Sequence, residues 1–445
     1  MNTPICDFLR RYAEKNALRL HMPGHKGKGF LGAEKLDITE IEGADSLYEA
    51  RGIIAQSEEN AGKLFGADTF YSTEGSSHCI RAMLHLAVTF AKSQNKKPLI
   101  VAARNVHKAF LSAAALLDFE IFWLYSKNTD SYLSCKITAE ELDRALSLSA
   151  EKPTAVYITS PDYLGNLADI KALSLVCKKH GVLLLVDNAH GAYLNFLNPS
   201  LHPMDLGADL CCDSAHKTLP VLTGGAYLHI SKNAPDFFKA QAKNALALFG
   251  STSPSYLILQ SLDKTNAYLS DGYCNKLWDF ALKVQTLKKM LVLNGYATLG
   301  DEPLKITLCT KPYGYTGTDF AKLLLNKNIV PEFADPDFVV LMFTPEIGDN
   351  DLKTLEAALC AAVKKSPIKT APPPFAPCKA AMSVRCAALS PCETIKAQNS
   401  AGRILAAATV ACPPAVPIVV CGEIIDENAL KLFEYYGIKE CTVVK

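Results

Sequence analysis

From residue 68 to about 230, short runs rich in Val, Ile and Leu alternate with stretches whose apolar residues recur every three or four positions. The runs at 69–72, 99–103, 120–124, 155–159, 182–187, 209–213 and 225–230 read as strands, and 76–93, 107–117, 139–148 and 170–180 as the helices between them. Strands apolar on both faces must be covered on both faces, and a helix between two strands returns the chain to the edge it started from. The alternation therefore predicts an α/β fold with a mostly parallel seven-stranded sheet. Ligands of such sheets bind beyond the carboxyl ends of the strands. The residues that follow each strand are accordingly the ones to examine.

Two of these strand ends carry distinctive chemistry. The run 182–187 ends in Asp187, followed by Asn188-Ala189-His190-Gly191. About thirty residues later, 209–213 leads into Ser214-Ala215-His216-Lys217, with Gly224-Gly225 beyond. A strand-end acid followed by a strand-end Ser-x-His-Lys meets the needs of a pyridoxal phosphate (PLP) enzyme. The lysine forms the Schiff base, and the acid pairs with the pyridinium nitrogen and keeps the ring electron-accepting. Gly75-Ser76-Ser77, at the start of a predicted helix, offers close backbone approach, free N–H groups and two hydroxyls to a phosphate. His107, just past the next strand, is placed to stack on a pyridine ring. Taken singly, each has a plainer reading: Ser76, His107 and Asp187 as helix caps, Lys217 as a surface lysine. Their order along successive strand ends carries the assignment.

The remaining features exclude other classes. A net charge of +1 gives no field that would favour nucleic acid or an anionic membrane. Charged residues interrupt the N-terminus where a secretory signal would be apolar, and no apolar run approaches the roughly 20 residues that span a bilayer. A cytoplasmic protein is expected. The fifteen cysteines are scattered without a C-x-x-C pair, so they read as reduced core residues and no metal site is expected. Composition divides the 445 residues into an N-terminal segment plus large PLP-binding domain (1–255), a small α+β domain (256–365), a Pro-rich linker (366–379) and a C-terminal α+β domain (380–445).

The chain resembles the Orn/Lys/Arg decarboxylases of PLP fold type I. The matching segments begin with His21-Met-Pro-Gly-His-Lys-Gly27, Asp45-Ser-Leu-Tyr48, Gly52-Ile-Ile-Ala55 and Phe65-Gly-Ala-Asp68. They continue with Gly75-Ser76-Ser77, Asn105-Val-His-Lys108, Asp187-Asn-Ala-His-Gly191 and Ser214-Ala-His-Lys217. The last are Ser251-Thr-Ser-Pro-Ser-Tyr256, Cys412-Pro-Pro-Ala-Val-Pro417 and Gly422-Glu423. The resemblance implies an aspartate-aminotransferase-like large domain and the short biosynthetic type without an N-terminal wing domain. It implies Lys217 as the cofactor lysine, His107 as the stacking residue and Asp187 as the ring-nitrogen partner. Gly75, Ser76, Ser77, Ser214 and His216 would surround the phosphate, and His190 would lie beside the cofactor. Ser251 or Thr252 would reach a neighbouring subunit's phosphate, making a homodimer the minimal unit, alone or as a dimer of dimers. Ala415 and Cys421 depart from the family's usual Gly and Pro.

The expected reaction is decarboxylation of a basic L-amino acid in polyamine biosynthesis: arginine to agmatine, then lysine to cadaverine, then ornithine to putrescine. Lys217 or His216 would return the proton to Cα. A transaminase commonly grips the α-carboxylate with a bidentate arginine, yet no arginine lies between Arg144 and Arg385. Glu423 is the first candidate for the substrate's distal cation, with Asp45 and Glu74 as alternatives. Another fold type I reaction, such as transamination or aldol cleavage, or a non-catalytic PLP-fold binding protein, are the competing readings.

Overall fold

The computed structural model describes residues 1–127, 131–407 and 414–445; Cys412 and Pro413 of the C-terminal motif lie outside the described residues. The alternation of the sequence folds as seven strands: β1 (Asp68–Ser72), β2 (Leu99–Ala103), β3 (Glu120–Leu124), β4 (Ala155–Thr159), β5 (Leu183–Asp187), β6 (Leu210–Asp213) and β7 (Ala226–Ile230). They hydrogen-bond in the order β1-β7-β6-β5-β4-β2-β3. The first six helices are α1 (Pro4–Glu14), α2 (Ile53–Phe65), α3 (Ser76–Ser93), α4 (Lys108–Leu117), α5 (Ala139–Leu148) and α6 (Ile170–His180).

The pairs β5–β6 and β2–β3 are parallel, whereas β7 runs antiparallel to both β6 and β1. The reason is local. Only the short helix Ala215–Thr218 and a turn separate β6 from β7, so the chain re-enters the sheet from the edge it has just left. Because β7 is reversed relative to both neighbours, β1 points the same way as β6. Register then aligns their carboxyl ends: Ser72 faces Ala226, Asp213 faces Tyr227, and Asp187 faces Cys212. Three strand ends thus open on one edge.

The chain forms two compact, interleaved units. The first comprises Met1–Pro98, Glu151–Ile158 and Ile170–Lys276; its core packs Phe65 against Tyr227 and His229, and Tyr71 against Tyr227. The second comprises Leu99–Ala150, Thr159–Asp169 and Leu277–Lys445. It holds an antiparallel four-stranded sheet in the order β10 (Phe333–Ala334), β11 (Phe338–Met342), β9 (Lys305–Cys309), β8 (Ala297–Leu299), and a two-stranded ribbon, β12 (Cys392–Lys396) with β13 (Glu440–Val444). Among the described residues, no helix is long and apolar enough to cross a membrane.

Candidate active site

In the first unit, the turn after β1 is shaped by two glycines. Gly75 has φ +74° and its N–H donates to Gly224 O at 2.7 Å. Gly224 has φ +101°, and a Cβ there would stand 2.6 Å from the Thr73 carbonyl oxygen. Both the left-handed backbone and the close approach require glycine. The turn delivers the chain into α3 at Ser76, with no side chain among the described residues capping the helix start. Its leading N–H groups and the positive end of the helix dipole are therefore available to an anion.

Ser214, leaving β6, donates its hydroxyl to Ser76 Oγ at 2.7 Å. His216 lies over the same turn, its Cε1 3.9 Å from the position of a Cβ on Gly75. Its Nδ1–H donates to Gly225 O at 2.9 Å, which leaves Nε2 as an acceptor in the neutral ring. Burial, reinforced by the Lys217 charge, holds the His216 pKa below the usual imidazole value. Gly75, Ser76, Ser214 and His216 are thus together in one place, with Ser77 the next helical residue.

Asp187, at the end of β5, is 1% exposed. Its Oδ2 accepts the Tyr157 hydroxyl at 3.0 Å, and its Oδ1 accepts the Ala189 N–H at 3.2 Å and the Cys212 thiol at 3.7 Å. Burial pushes its pKa up, and the charge of Lys217 is the strongest influence opposing that shift. Lys217 Nζ lies 3.1 Å from His190 Nε2. These residues suit PLP. A desolvated carboxylate gains from a cationic ring N–H, an uncapped helix start with clustered hydroxyls suits a phosphate, and a lysine amine stands beside an imidazole.

His107 belongs to the second unit. It is the N-cap of α4, which explains why that helix begins one residue later than the sequence pattern predicts. Its Nδ1 accepts the Ala109 N–H at 3.1 Å, so in the neutral ring the proton sits on Nε2.

Ser251 and Thr252 are exposed, and the Ser251 N–H donates to Glu74 Oε1 of the same chain at 2.6 Å. The three candidate acids have different surroundings. Asp45 accepts the N–H groups of Arg51, Gly52, Ile54 and Ala55 at 3.0, 2.7, 3.1 and 3.4 Å, and so anchors the start of α2. Glu423, expected to meet a substrate cation, is instead buried against Arg104 at 3.5 Å and accepts the Val420 N–H at 2.7 Å. Arg104 also donates to the carbonyls of Pro417 and Ile418, each at 2.9 Å, locking the 417–423 segment within the second unit. Glu74 is exposed. The sequence reading missed two supporting residues, Arg104 and Tyr157. A tyrosine within an otherwise aliphatic strand was the available signal for the second.

The Ala415 departure has a definite backbone consequence. Its φ is +55°, a region that costs alanine about 1–2 kcal/mol, and its carbonyl accepts the Lys108 N–H at 2.8 Å. Ala415→Gly would relieve that strain. It would also free the unfolded chain by about 0.4–1 kcal/mol and lose a buried methyl worth about 0.8 kcal/mol. Stability is therefore expected to change by less than about 1 kcal/mol. Ala415→Val, β-branched in a left-handed region, is expected to lower the melting temperature clearly. Thermal unfolding of the two variants checks both statements.

Comparison with known proteins places this arrangement in context. Residues 3–299 match the family model described as Orn/Lys/Arg decarboxylase, major domain. The chain is 31% identical over 470 aligned residues to the arginine decarboxylase of Bacillus subtilis (strain 168), covering 97% of this chain and 93% of that one. It is 29% identical to the arginine decarboxylase of Halalkalibacterium halodurans, over 96% of this chain and 92% of that one. Among solved structures, the lysine decarboxylase of Francisella novicida covers 100% of this chain and 81% of its own with a TM-score of 0.81. Its 17% identity makes that a likeness of fold.

Proposed function

Because the chain belongs to the Orn/Lys/Arg decarboxylase family, we propose that it decarboxylates a basic L-amino acid, arginine first, with PLP carried on Lys217. The observation that carries this reading is the buried Asp187 carboxylate, whose charge is favoured most by Lys217. When bound, PLP supplies the electron sink that takes up the pair left on Cα as CO2 departs.

The chain's own residues do the rest. The start of α3, with Ser76, Ser77, Ser214 and His216, would hold the phosphate, while Asp187 would retain the proton on the ring nitrogen and His107 is assigned to steady the ring. The Lys217 amine, held by His190, returns a proton to Cα once CO2 has left. Surroundings less polar than water would favour loss of the α-carboxylate charge.

Decarboxylation is preferred over transamination because the two arginines beyond Arg144 have other partners. Arg385 donates to the carbonyls of Ala115 and Leu116, and Arg403 pairs with Glu393 and donates to the Val444 carbonyl. Arginine heads the substrate order because two relatives matched over nearly their whole length carry that activity in their names. Glu74, which is exposed although its Oε1 accepts the Ser251 N–H, is the acid of the three best suited to the substrate's distal cation. A cytoplasmic homodimer, with Ser251 or Thr252 reaching the partner's phosphate, and a role in polyamine biosynthesis complete the reading.

The test is a decarboxylation screen of the PLP-loaded protein over arginine, lysine and ornithine. CO2 release should be fastest from arginine, with agmatine as the product. Faster release from lysine or ornithine would move the substrate assignment, and a keto acid in place of the amine would replace the reaction.

A further inference from the structure

A second strand-end acid lies deeper in the first unit. Asp213 ends β6 and is wholly buried. Its Oδ1 accepts the Asn188 amide at 2.7 Å, and its Oδ2 accepts His202 Nε2 at 3.0 Å and His229 Nε2 at 3.1 Å. The Cys211 thiol is a weaker donor to Oδ1 at 3.6 Å. Asn188, His202 and His229 are each 0% exposed.

The outer ring nitrogens fix the protons. The Met204 backbone N–H points at His202 Nδ1 at 3.3 Å, so that atom must accept. Thr69 Oγ1 lies 2.9 Å from His229 Nδ1 and can donate to it, so the His229 Nε2 that faces the Asp213 carboxylate carries the proton there too. Each neutral ring therefore carries its proton on Nε2, facing Asp213, and Asp213 is the acceptor and ionised. Burial opposes its charge, and the hydrogen bonds from the two histidines favour it. The same tautomers argue against a metal. The ligand atoms of His202, Cys211 and Asp213 lie within 4.8 Å of one another, but a protonated Nε2 has no lone pair to give.

A buried anion neutralised only by hydrogen bonds is costly for stability. This one stands between the two strand ends that carry the chemistry. Asn188, which it holds, follows Asp187, and the Asn188 N–H also donates to Cys212 O at 3.0 Å. The Asn188 side chain lies where a Cβ on Gly191 would come within 2.0 Å of its Oδ1, so glycine at 191 makes room for it. On the other side, Ser214 follows Asp213 and binds Ser76 at 2.7 Å.

We propose that Asp213, fixed by His202 and His229, is a positioning residue that acts through Asn188. It sets the Asp187 carboxylate where that group holds the proton on the cofactor's ring nitrogen. The inference rests on the reading that Asp187 meets that nitrogen, and deepens it.

The test uses Asn188→Ala and Asp213→Asn in the full chain, loaded with PLP carrying ¹⁵N in the ring. Two quantities are read at one pH: the dissociation constant of PLP and the ¹⁵N chemical shift of the bound cofactor. In Asn188→Ala the dissociation constant should rise about tenfold, the loss of one hydrogen bond to a charged group, and the ¹⁵N resonance should move toward the unprotonated position. A lower melting temperature with an unmoved ¹⁵N resonance would overturn the proposal, because a merely structural role changes stability and not protonation in the occupied site. Asp213→Asn should move the resonance further; if it does not fold, Asn188→Ala decides alone. An unprotonated ring nitrogen in the wild-type protein would instead overturn the Asp187 assignment itself, so the two failures are distinguishable.

Discussion

Lys217→Ala is expected to lose decarboxylation by at least about 10⁴-fold in kcat, the scale on which removal of a covalent catalytic group is felt. It should also lose the visible absorption of lysine-bound cofactor. In the proposed role the amine is the covalent anchor, and it lies 3.1 Å from His190 Nε2. A second effect follows from electrostatics. The Lys217 charge is the main influence that lowers the Asp187 pKa against burial, so without it Asp187 is more readily protonated and pairs less strongly with a cation. Lys217→Arg keeps the charge but cannot condense with the cofactor. It should therefore be as inactive as the alanine variant while binding PLP non-covalently more tightly. Absorption spectra and equilibrium dialysis of the two proteins check this. A visible cofactor band surviving in Lys217→Ala would refute the assignment.

Asp187→Asn is the second large effect. An amide cannot stabilise a protonated ring nitrogen by charge, and losing one preorganised electrostatic contact of this kind costs about 10²–10³-fold in kcat. The Michaelis constant should change little, since Asp187 is not assigned to the substrate. Apo-protein stability should not follow activity. The folded-state pKa of Asp187 is raised by burial, so above its unfolded pKa the ionised group opposes folding, and that penalty is present throughout neutral pH. Replacing it by a neutral isostere removes the penalty. The apo variant is expected to melt at or above the wild-type temperature near pH 7 while its turnover collapses. A parallel loss of apo stability and activity would show that Asp187 serves the fold instead.

Much of the framework was legible because its boundaries are chemical. Apolar runs that end in Asp, Ser or Gly stop where the sheet stops: β5 and β6 begin one residue later than the sequence pattern and end at Asp187 and Asp213 as expected. The helices Ser76–Ser93, Ala139–Leu148 and Ile170–His180 match their apolar periodicity residue for residue. Spatial order was not legible. Nothing near residue 68 announces that β1 pairs with β7, or that β7 is reversed. The same limit applies at the site. Asp187 and Asp213 look alike in the sequence, each a strand-end acid before small polar residues, and only the folded chain reveals that one faces Lys217 electrostatically and the other two histidines. Glu423 and Arg104 illustrate the point again, because an acid's availability depends on a partner more than three hundred residues away. Cysteine usage was legible in part. The strand and helix cysteines Cys79, Cys177, Cys211, Cys212 and Cys441 are buried as expected of small hydrophobes, but Cys274, Cys360, Cys386 and Cys392 are exposed, so the expectation of core residues holds for only part of the set.

The reversed seventh strand also constrains the order of events during synthesis. Among the described residues, β1 has a single neighbour in the sheet, and that neighbour is residues 226–230. At roughly 5–20 residues per second, the ribosome needs roughly 8–30 s to make the intervening chain. Throughout that interval the backbone groups of 68–72 have no strand to bind, and the turn that cradles Gly75 lacks Gly224. An edge left unpaired for that long is open to pairing with other chains, so this topology exposes the nascent protein to association until residue 230 has been made.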